Sequence, residues 1–192
     1  MSAQAERKMV LRSITVMAVF ILLSLAFAGM GSPRRTDTLY RLSNFRAPSL
    51  SKPVDSIVVV KRFRHMFVFH NRKLLKVYHI SLGEAPVGAK HFEGDRKTPE
   101  GIYTIDGKNP NSQAHKALAI SYPNENDRKY AKSKALPPGG NIKIHGLLNG
   151  TEKEKDDYMS GDWTWGCIAV NNEDMDELYA NVKIGTVINI LP

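Results

Sequence analysis

A single cysteine, Cys167, and a histidine 22 positions before it, His145, are the two residues of this 192-residue chain best placed to do chemistry together. Each stands beside a glycine at the edge of an apolar run. His145-Gly146 closes Ile142-Lys143-Ile144, and Gly166-Cys167 opens Ile168-Ala169-Val170. A thiol where a Gly turn enters a strand can lie open at a site edge with backbone N–H groups beside it, the layout a cysteine nucleophile needs. An imidazole within reach can take its proton and hold it as thiolate. The residue types alone leave a second reading open: free cysteine is commonly a small buried hydrophobe, and a His at a strand end is often an ordinary surface side chain. Asp162, Trp163 and Trp165 precede the cysteine. They are candidates for holding a substrate, although tryptophans also simply pack around sites. His91, Glu93 and Asp95 alternate and could converge on a metal, but few other His or Cys residues lie nearby. A polar turn is the expected role, and neither metal nor cofactor is called for.

The elements that must position this pair read as β structure. Ile57–Val60 is a β-branched run, and Met66–Phe69 and Leu74–Ile80 flank His70-Asn71-Arg72-Lys73 as a hairpin. Strands are expected at Ile102–Ile105, closed by Asp106-Gly107, and at Leu118–Tyr122, with 108–116 irregular and a short helix between 124 and 134. In 142–145 the alternation turns Ile142 and Ile144 to the core and Lys143 and His145 to the other face. A long charged loop, 147–161, joins the His to the Cys and suits a lid or binding loop. Met175, Leu178, Tyr179 and Val182 recur at i, i+3, i+4, i+7 and define one amphipathic helix. Asn171 with Asp174 starts it, and Lys183 and Gly185 mark its end. Thr186–Leu191 closes the chain as a strand. The expected fold is mainly β, a sandwich or partial barrel of short strands with one amphipathic helix after the Cys strand.

The net charge of +8 does not point to nucleic acid. Residues 1–35 carry +4 of it, and no Arg/Lys stripe interleaved with aromatics occurs beyond them. Lys61, Arg62, Arg64, Arg72, Lys73 and Lys76 read as the solvated side of a hairpin. The apolar run 14–30 behind Arg7, Lys8 and Arg12, with Ala26-Phe27-Ala28 as a small-x-small site, suits an N-terminal apolar helix. Residues 1–30 thus read as a signal peptide or a membrane-contacting signal anchor. The charge bias places the C-terminal domain outside the cytoplasm, periplasmic or held at the inner membrane. Residues 31–53 read as a linker and 54–192 as the catalytic domain. An unpaired thiol in an oxidising compartment is itself a sign of reactivity.

The same residues carry a more specific signal. His145-Gly146 followed by Thr164-Trp165-Gly166-Cys167-Ile168 resembles the motif of the L,D-transpeptidase catalytic domain family (YkuD-like). Gly94-Asp95-Arg96-Lys97-Thr98-Pro99-Glu100-Gly101 resembles its Thr-Pro-x-Gly segment, and the hairpin ending at Ser81-Leu82-Gly83 its leading unit. The resemblance covers roughly residues 55–192. Trp165 and Ala169 stand where many members carry His and Arg. The resemblance implies two-step acyl transfer on peptidoglycan stem tetrapeptides in cell wall biogenesis. Cys167 would be nucleophile and His145 base, oriented by the Gly146 carbonyl. Gly166 and Cys167 N–H groups would serve an oxyanion, with Thr164 close by. The acceptor would be a second stem peptide or, in some members, a wall-anchored protein. A thiol peptidase or amidase of the same fold, and a non-catalytic peptidoglycan-binding module, are the alternatives.

Overall fold

A computed structural model describes residues 49–151 and 155–192. The apolar segment 1–30 and most of the 31–53 linker expected from the sequence lie outside the described residues. No helix among the described residues is long and apolar enough to cross a membrane.

Eight strands form one mixed sheet. In chain order they are β1 (Val54–Val60), β2 (His65–His70), β3 (Lys73–His79), β4 (Gly101–Ser112), β5 (His115–Ile120), β6 (Lys143–His145), β7 (Ile168–Ala169) and β8 (Val182–Leu191). The spatial order is β3-β2-β1-β8-β4-β5-β6-β7. The sheet curls into a partial barrel because its two ends meet. Ser81, just past edge strand β3, bridges Ala169 in the opposite edge strand β7, and Gly83 bridges Thr164. Val59, Met66, Ile105, Leu118, Ile144, Ile168 and Ile188 fill the interior, all fully buried. This fold is mainly β, as the pattern of short apolar runs predicts.

The β2–β3 hairpin turns at Asn71 and Arg72, both at positive φ (48° and 65°). Positive φ at both central residues is the turn whose twist matches flanking strands. Three helices interrupt the strands: α1 (Glu125–Ser133), α2 (Lys155–Met159) and α3 (Asn172–Asn181). Asn124 caps α1, accepting from the N–H groups of Asn126 and Asp127. In α3, Met175 and Leu178 are fully buried. Glu177 fixes this helix to β3, taking Lys76 Nζ at 2.6 Å and the Tyr78 hydroxyl at 2.7 Å.

Four sequence expectations change. Residues 108–116 are not irregular: β4 runs through them and pairs with β5, with register shifts after Ile105 and Asn109 that absorb the turn-forming residues. The amphipathic helix does not end at Lys183 and Gly185. The chain passes straight from Asn181 into β8, and Gly185 (φ 90°) lies where the β1–β8 register shifts. The 147–161 loop contains α2, docked by Ser81 Oγ donating to Tyr158 O at 3.1 Å. The basic cluster at 61–76 is only partly solvated. Lys61 is 2% exposed, its ammonium on Glu100 and on the carbonyls of Gly88 and Thr98. Arg64 pairs with Asp162, and Lys76 with Glu177.

Candidate active site

Strand register sets the site. β6 and β7 run parallel with Ile144 opposite Ile168 and His145 opposite Ala169. Ile144 and Ile168 face the interior, so alternation turns Lys143 and His145, and with them Cys167 and Ala169, to the other side. Cys167 thereby stands beside Lys143 and diagonal to His145. Adjacent strands are about 4.8 Å apart, which brings the thiol and imidazole into one locality.

The His145 ring is held by its own neighbour. Nδ1 lies 2.6 Å from the carbonyl oxygen of Gly146 and donates to it, leaving the Nε2 lone pair free to accept a proton. Gly146 is pinned in turn. Its N–H donates to Ala114 O, and a Cβ there would sit 2.5 Å from Asn172 Oδ1 and 2.8 Å from His115 Cβ. Asn172 Oδ1 accepts the next N–H, of Leu147, at 2.8 Å. No side chain fits at Gly146, and its carbonyl stays aimed at the imidazole.

Trp163 packs edge-on to His145, ring centroids 5.7 Å apart, and Tyr158 of α2 packs edge-on to Trp163 at 4.9 Å. His145 is consequently 8% exposed. Burial pushes its pKa below the ordinary value of 6.5, although the Gly146 hydrogen bond works the other way. The Trp163 indole N–H is buried without a partner among the described residues. An orphaned donor of this kind costs about 1–3 kcal/mol. Trp163→Phe, which keeps the edge contact and removes the donor, is expected to leave the melting temperature equal or higher. Trp163→Ala, which empties the space against His145, should cost about 3 kcal/mol by denaturant melts.

The nucleophile turn is locked by stacked glycines. Gly166 has φ 120°, and a Cβ on it would lie 2.5 Å from the carbonyl oxygen of Lys97. A Cβ on Gly83 would collide with the Arg96 carbonyl and touch Gly166 Cα. Thr98, fully buried, accepts the Gly83 N–H on Oγ1 at 3.1 Å. The Lys97-Thr98-Pro99 stretch thus forms the wall behind the cysteine turn. Thr164 Oγ1 closes the turn, donating to Cys167 O at 2.8 Å and accepting Gly166 N–H at 3.1 Å. Gly166 N–H is therefore already engaged and is not an open oxyanion donor in this state. Thr164 holds the turn from within.

The Cys167 thiol donates to Asn141 O, Sγ to O 3.7 Å, rather than to the imidazole. Burial pushes its pKa up, while the Lys143 backbone N–H and the charges of Lys143 and Lys90 pull it down. With the thiol raised and the imidazole lowered, the resting pair is neutral. Burial penalises both charged forms and so works against the resting thiolate–imidazolium pair that the sequence suggests. The linkage for His145 gives a second expectation. Its folded pKa lies below the unfolded 6.5, so the unfolded chain binds more protons in that window. Stability should be full above pH 6.5 and fall as pH drops through the window. Melts from pH 5 to 7.5 should show this slope weakened in His145→Asn.

Three more sequence candidates are placed. Asp162 is engaged internally, its carboxylate 2.5 Å from Arg64 and accepting Leu82 N–H at 2.9 Å, so it ties the site loop to the sheet. Trp165 is 72% exposed, with the Arg96 guanidinium 4.1 Å from its ring centroid. In the 91–95 turn, Asp95 pairs with Lys90 at 2.8 Å and His91 stacks on Tyr130. No group of three metal-ligating side chains occurs among the described residues.

Comparison with known proteins fits this geometry. The family profile described as "YkuD: L,D-transpeptidase catalytic domain" matches residues 54–190. The chain belongs to that family. YafK of Escherichia coli K12, whose name places it among L,D-transpeptidases, is 27% identical over 171 residues, covering 85% of this chain and 61% of its own length. Among solved structures, the helical cell shape determining protein Pgp2 from Campylobacter jejuni superposes with a TM-score of 0.52 at 25% identity, over 79% of this chain and 53% of that one. Bd1075 of Bdellovibrio bacteriovorus gives 0.50 at 22%, over 74% and 52%, a likeness of fold alone. The chain spans about three-fifths of the length of the curated relatives it matches.

Within this L,D-transpeptidase-family domain, sequence reading missed four contributors: Asn141, Lys143, Asn172 and Tyr158. None has a diagnostic residue type. Only the one-residue step from His145-Gly146 to Leu147, whose N–H needs a partner, hints that something like Asn172 must be there.

Proposed function

We propose that the domain is a peptidoglycan L,D-transpeptidase working outside the cytoplasm, behind an N-terminal export signal or anchor, by a Cys–His acyl-enzyme mechanism. The observation that carries this reading is the His145 ring, locked through Nδ1 on Gly146 O and facing the same side of the sheet as Cys167. Cys167 Sγ attacks the carbonyl at the L-centre of the diaminopimelate in a donor tetrapeptide, and its proton passes to His145 Nε2. The tetrahedral oxyanion is met by backbone N–H groups, that of Cys167 first, since Gly166 N–H is held by Thr164. His145 then protonates the leaving amine of D-Ala as the C–N bond breaks, leaving a thioester. An acceptor amine, from a second stem peptide or a wall-anchored protein, gives up its proton to His145 and displaces the thiol. Trp165, exposed beside the nucleophile and backed by Arg96, supplies a substrate contact. Cell wall and cell shape roles follow from that chemistry.

The test is product analysis with purified tetrapeptide muropeptides. Cross-linked dimer with loss of D-Ala supports transfer. Tripeptide alone replaces transfer by thiol peptidase chemistry on the same site. Neither product from folded protein, with retained binding, would leave a peptidoglycan-binding module.

A further inference from the structure

On the outward face of β4, β5 and β6 the register lines up two rows across the strands. Gly107 pairs with Ala119 and Ala119 with Lys143, and Lys143 stands beside Cys167. In the next row Asn109 pairs with Ala117 and Ala117 with His145. The second row is closed at its inner end: Ala117 is 2% exposed, and Ala169, opposite His145, is sealed by its bridge to Ser81. The first row stays open. Its small side chains, with Asn109 and Ala117 of the neighbouring row and Lys108, border a shallow cavity of about 210 Å³ over Gly107, Ala119 and Lys143. A floor of Gly and Ala beside a nucleophile leaves room for backbone of an incoming chain.

The cation in this groove is available. Lys108, the other cation lining the cavity, is held by the carbonyls of Tyr179 and Val182, whereas the Lys143 ammonium has no carboxylate partner among the described residues. Its position suits one part of the substrate. In the reaction proposed above, the leaving amine takes its proton from His145 Nε2. The carboxylate of a leaving α-amino acid lies two bonds from that amine, about 2.5 Å away. Lys143 is two residues before His145 on the same strand face, about 6.7 Å along the strand, and its four-carbon stem spans the remaining distance.

We propose that Lys143 and the Gly107–Ala119 floor form the leaving-residue subsite, in which the ammonium binds the free C-terminal carboxylate of the donor peptide and so selects chains with one residue beyond the scissile bond. The inference rests on the acyl-transfer reading. As Sγ bonds to the carbonyl carbon and the C–N bond breaks, the thiol proton reaches the leaving amine through His145. Lys143 holds the departing amino acid by its other end. A donor whose C-terminus is amidated keeps the scissile bond and loses only this contact.

The test uses the full chain and two tetrapeptide donors, one with a free and one with an amidated C-terminus. Wild type should show KM about tenfold or more lower for the acid, the size of one charge-assisted contact, with kcat changed much less. Lys143→Gln should raise KM for the acid to that for the amide and abolish the discrimination, Lys143→Arg should restore most of it, and Ala119→Leu should weaken both donors by filling the floor. Equal acid preference in Lys143→Gln and wild type would overturn the subsite. Binding of the same two peptides to Cys167→Ala separates this inference from the reaction. Acid-selective binding that Lys143→Gln removes, without turnover in wild type, would overturn the transpeptidase reading and leave the carboxylate subsite standing. Equal binding of acid and amide would overturn the subsite whatever the turnover.

Discussion

Cys167→Ala is expected to lower acyl transfer by about 10⁴-fold or more, and His145→Ala by about 10²–10⁴-fold, with the fold of both variants intact by circular dichroism. The difference in size follows from their roles. Without Sγ no thioester can form, whereas without the imidazole a thiol can still ionise slowly into solvent. The double variant should be no worse than Cys167→Ala alone, because the two act as one unit. The neutral resting pair sharpens the expectation. Burial raises the thiol, so iodoacetamide labelling of the substrate-free enzyme should rise with pH only above the ordinary thiol range. Steady-state transfer should instead be governed on its acid side by His145, below the ordinary histidine value. Labelling and turnover should therefore have different pH profiles. Coincident profiles at neutral pH would mean a preformed thiolate.

Gly166→Ala should also be damaging, by a different route. The added methyl has to adopt φ 120° and lies 2.5 Å from a backbone oxygen, that of Lys97, which Thr98 and the buried Lys61 anchor on their own side. Backbone strain of this kind costs about 1–3 kcal/mol, so a drop of several degrees in melting temperature is expected. The turn then moves, and a displacement of about 1 Å at a nucleophile is enough for about 100-fold in rate. Gly161→Ala, in the same loop but with open space around its Cβ position, is the control and should change neither quantity appreciably.

Much of this architecture is legible in the chain because its signals are local. The β2–β3 hairpin announces itself through Asn71 and Arg72 between two apolar runs, and α3 through its 3.6-residue spacing and its Asn171 cap, whose side chain accepts Asp174 N–H at 2.8 Å. The Cys–His pair is legible for the same reason, each residue flanked by a glycine at a strand edge. The illegible features depend on partners far away in sequence. β4 continues through Gly107, Asn109 and Pro110 because β5 pairs with it across two register shifts, which no local propensity reveals. Lys61 looks like a surface charge until Glu100 and two carbonyls enclose it. Asp162 reads as a substrate contact beside the nucleophile, yet Arg64 claims it from 98 residues away. The stacking of Gly83 on Gly166, which sets the cysteine turn, is a contact between backbones and leaves no trace in residue type beyond the glycines themselves.

The central claim is that Cys167 carries the acyl group. Intact-mass spectrometry of the chain, acid-quenched within the first turnovers on tetrapeptide muropeptide, tests it most directly. The account predicts a covalent adduct equal to the donor minus D-Ala, mapped to the peptide containing Cys167 and absent from Cys167→Ala. Turnover in wild type with no adduct on Cys167 under any quench, or an undiminished adduct in Cys167→Ala, would contradict it.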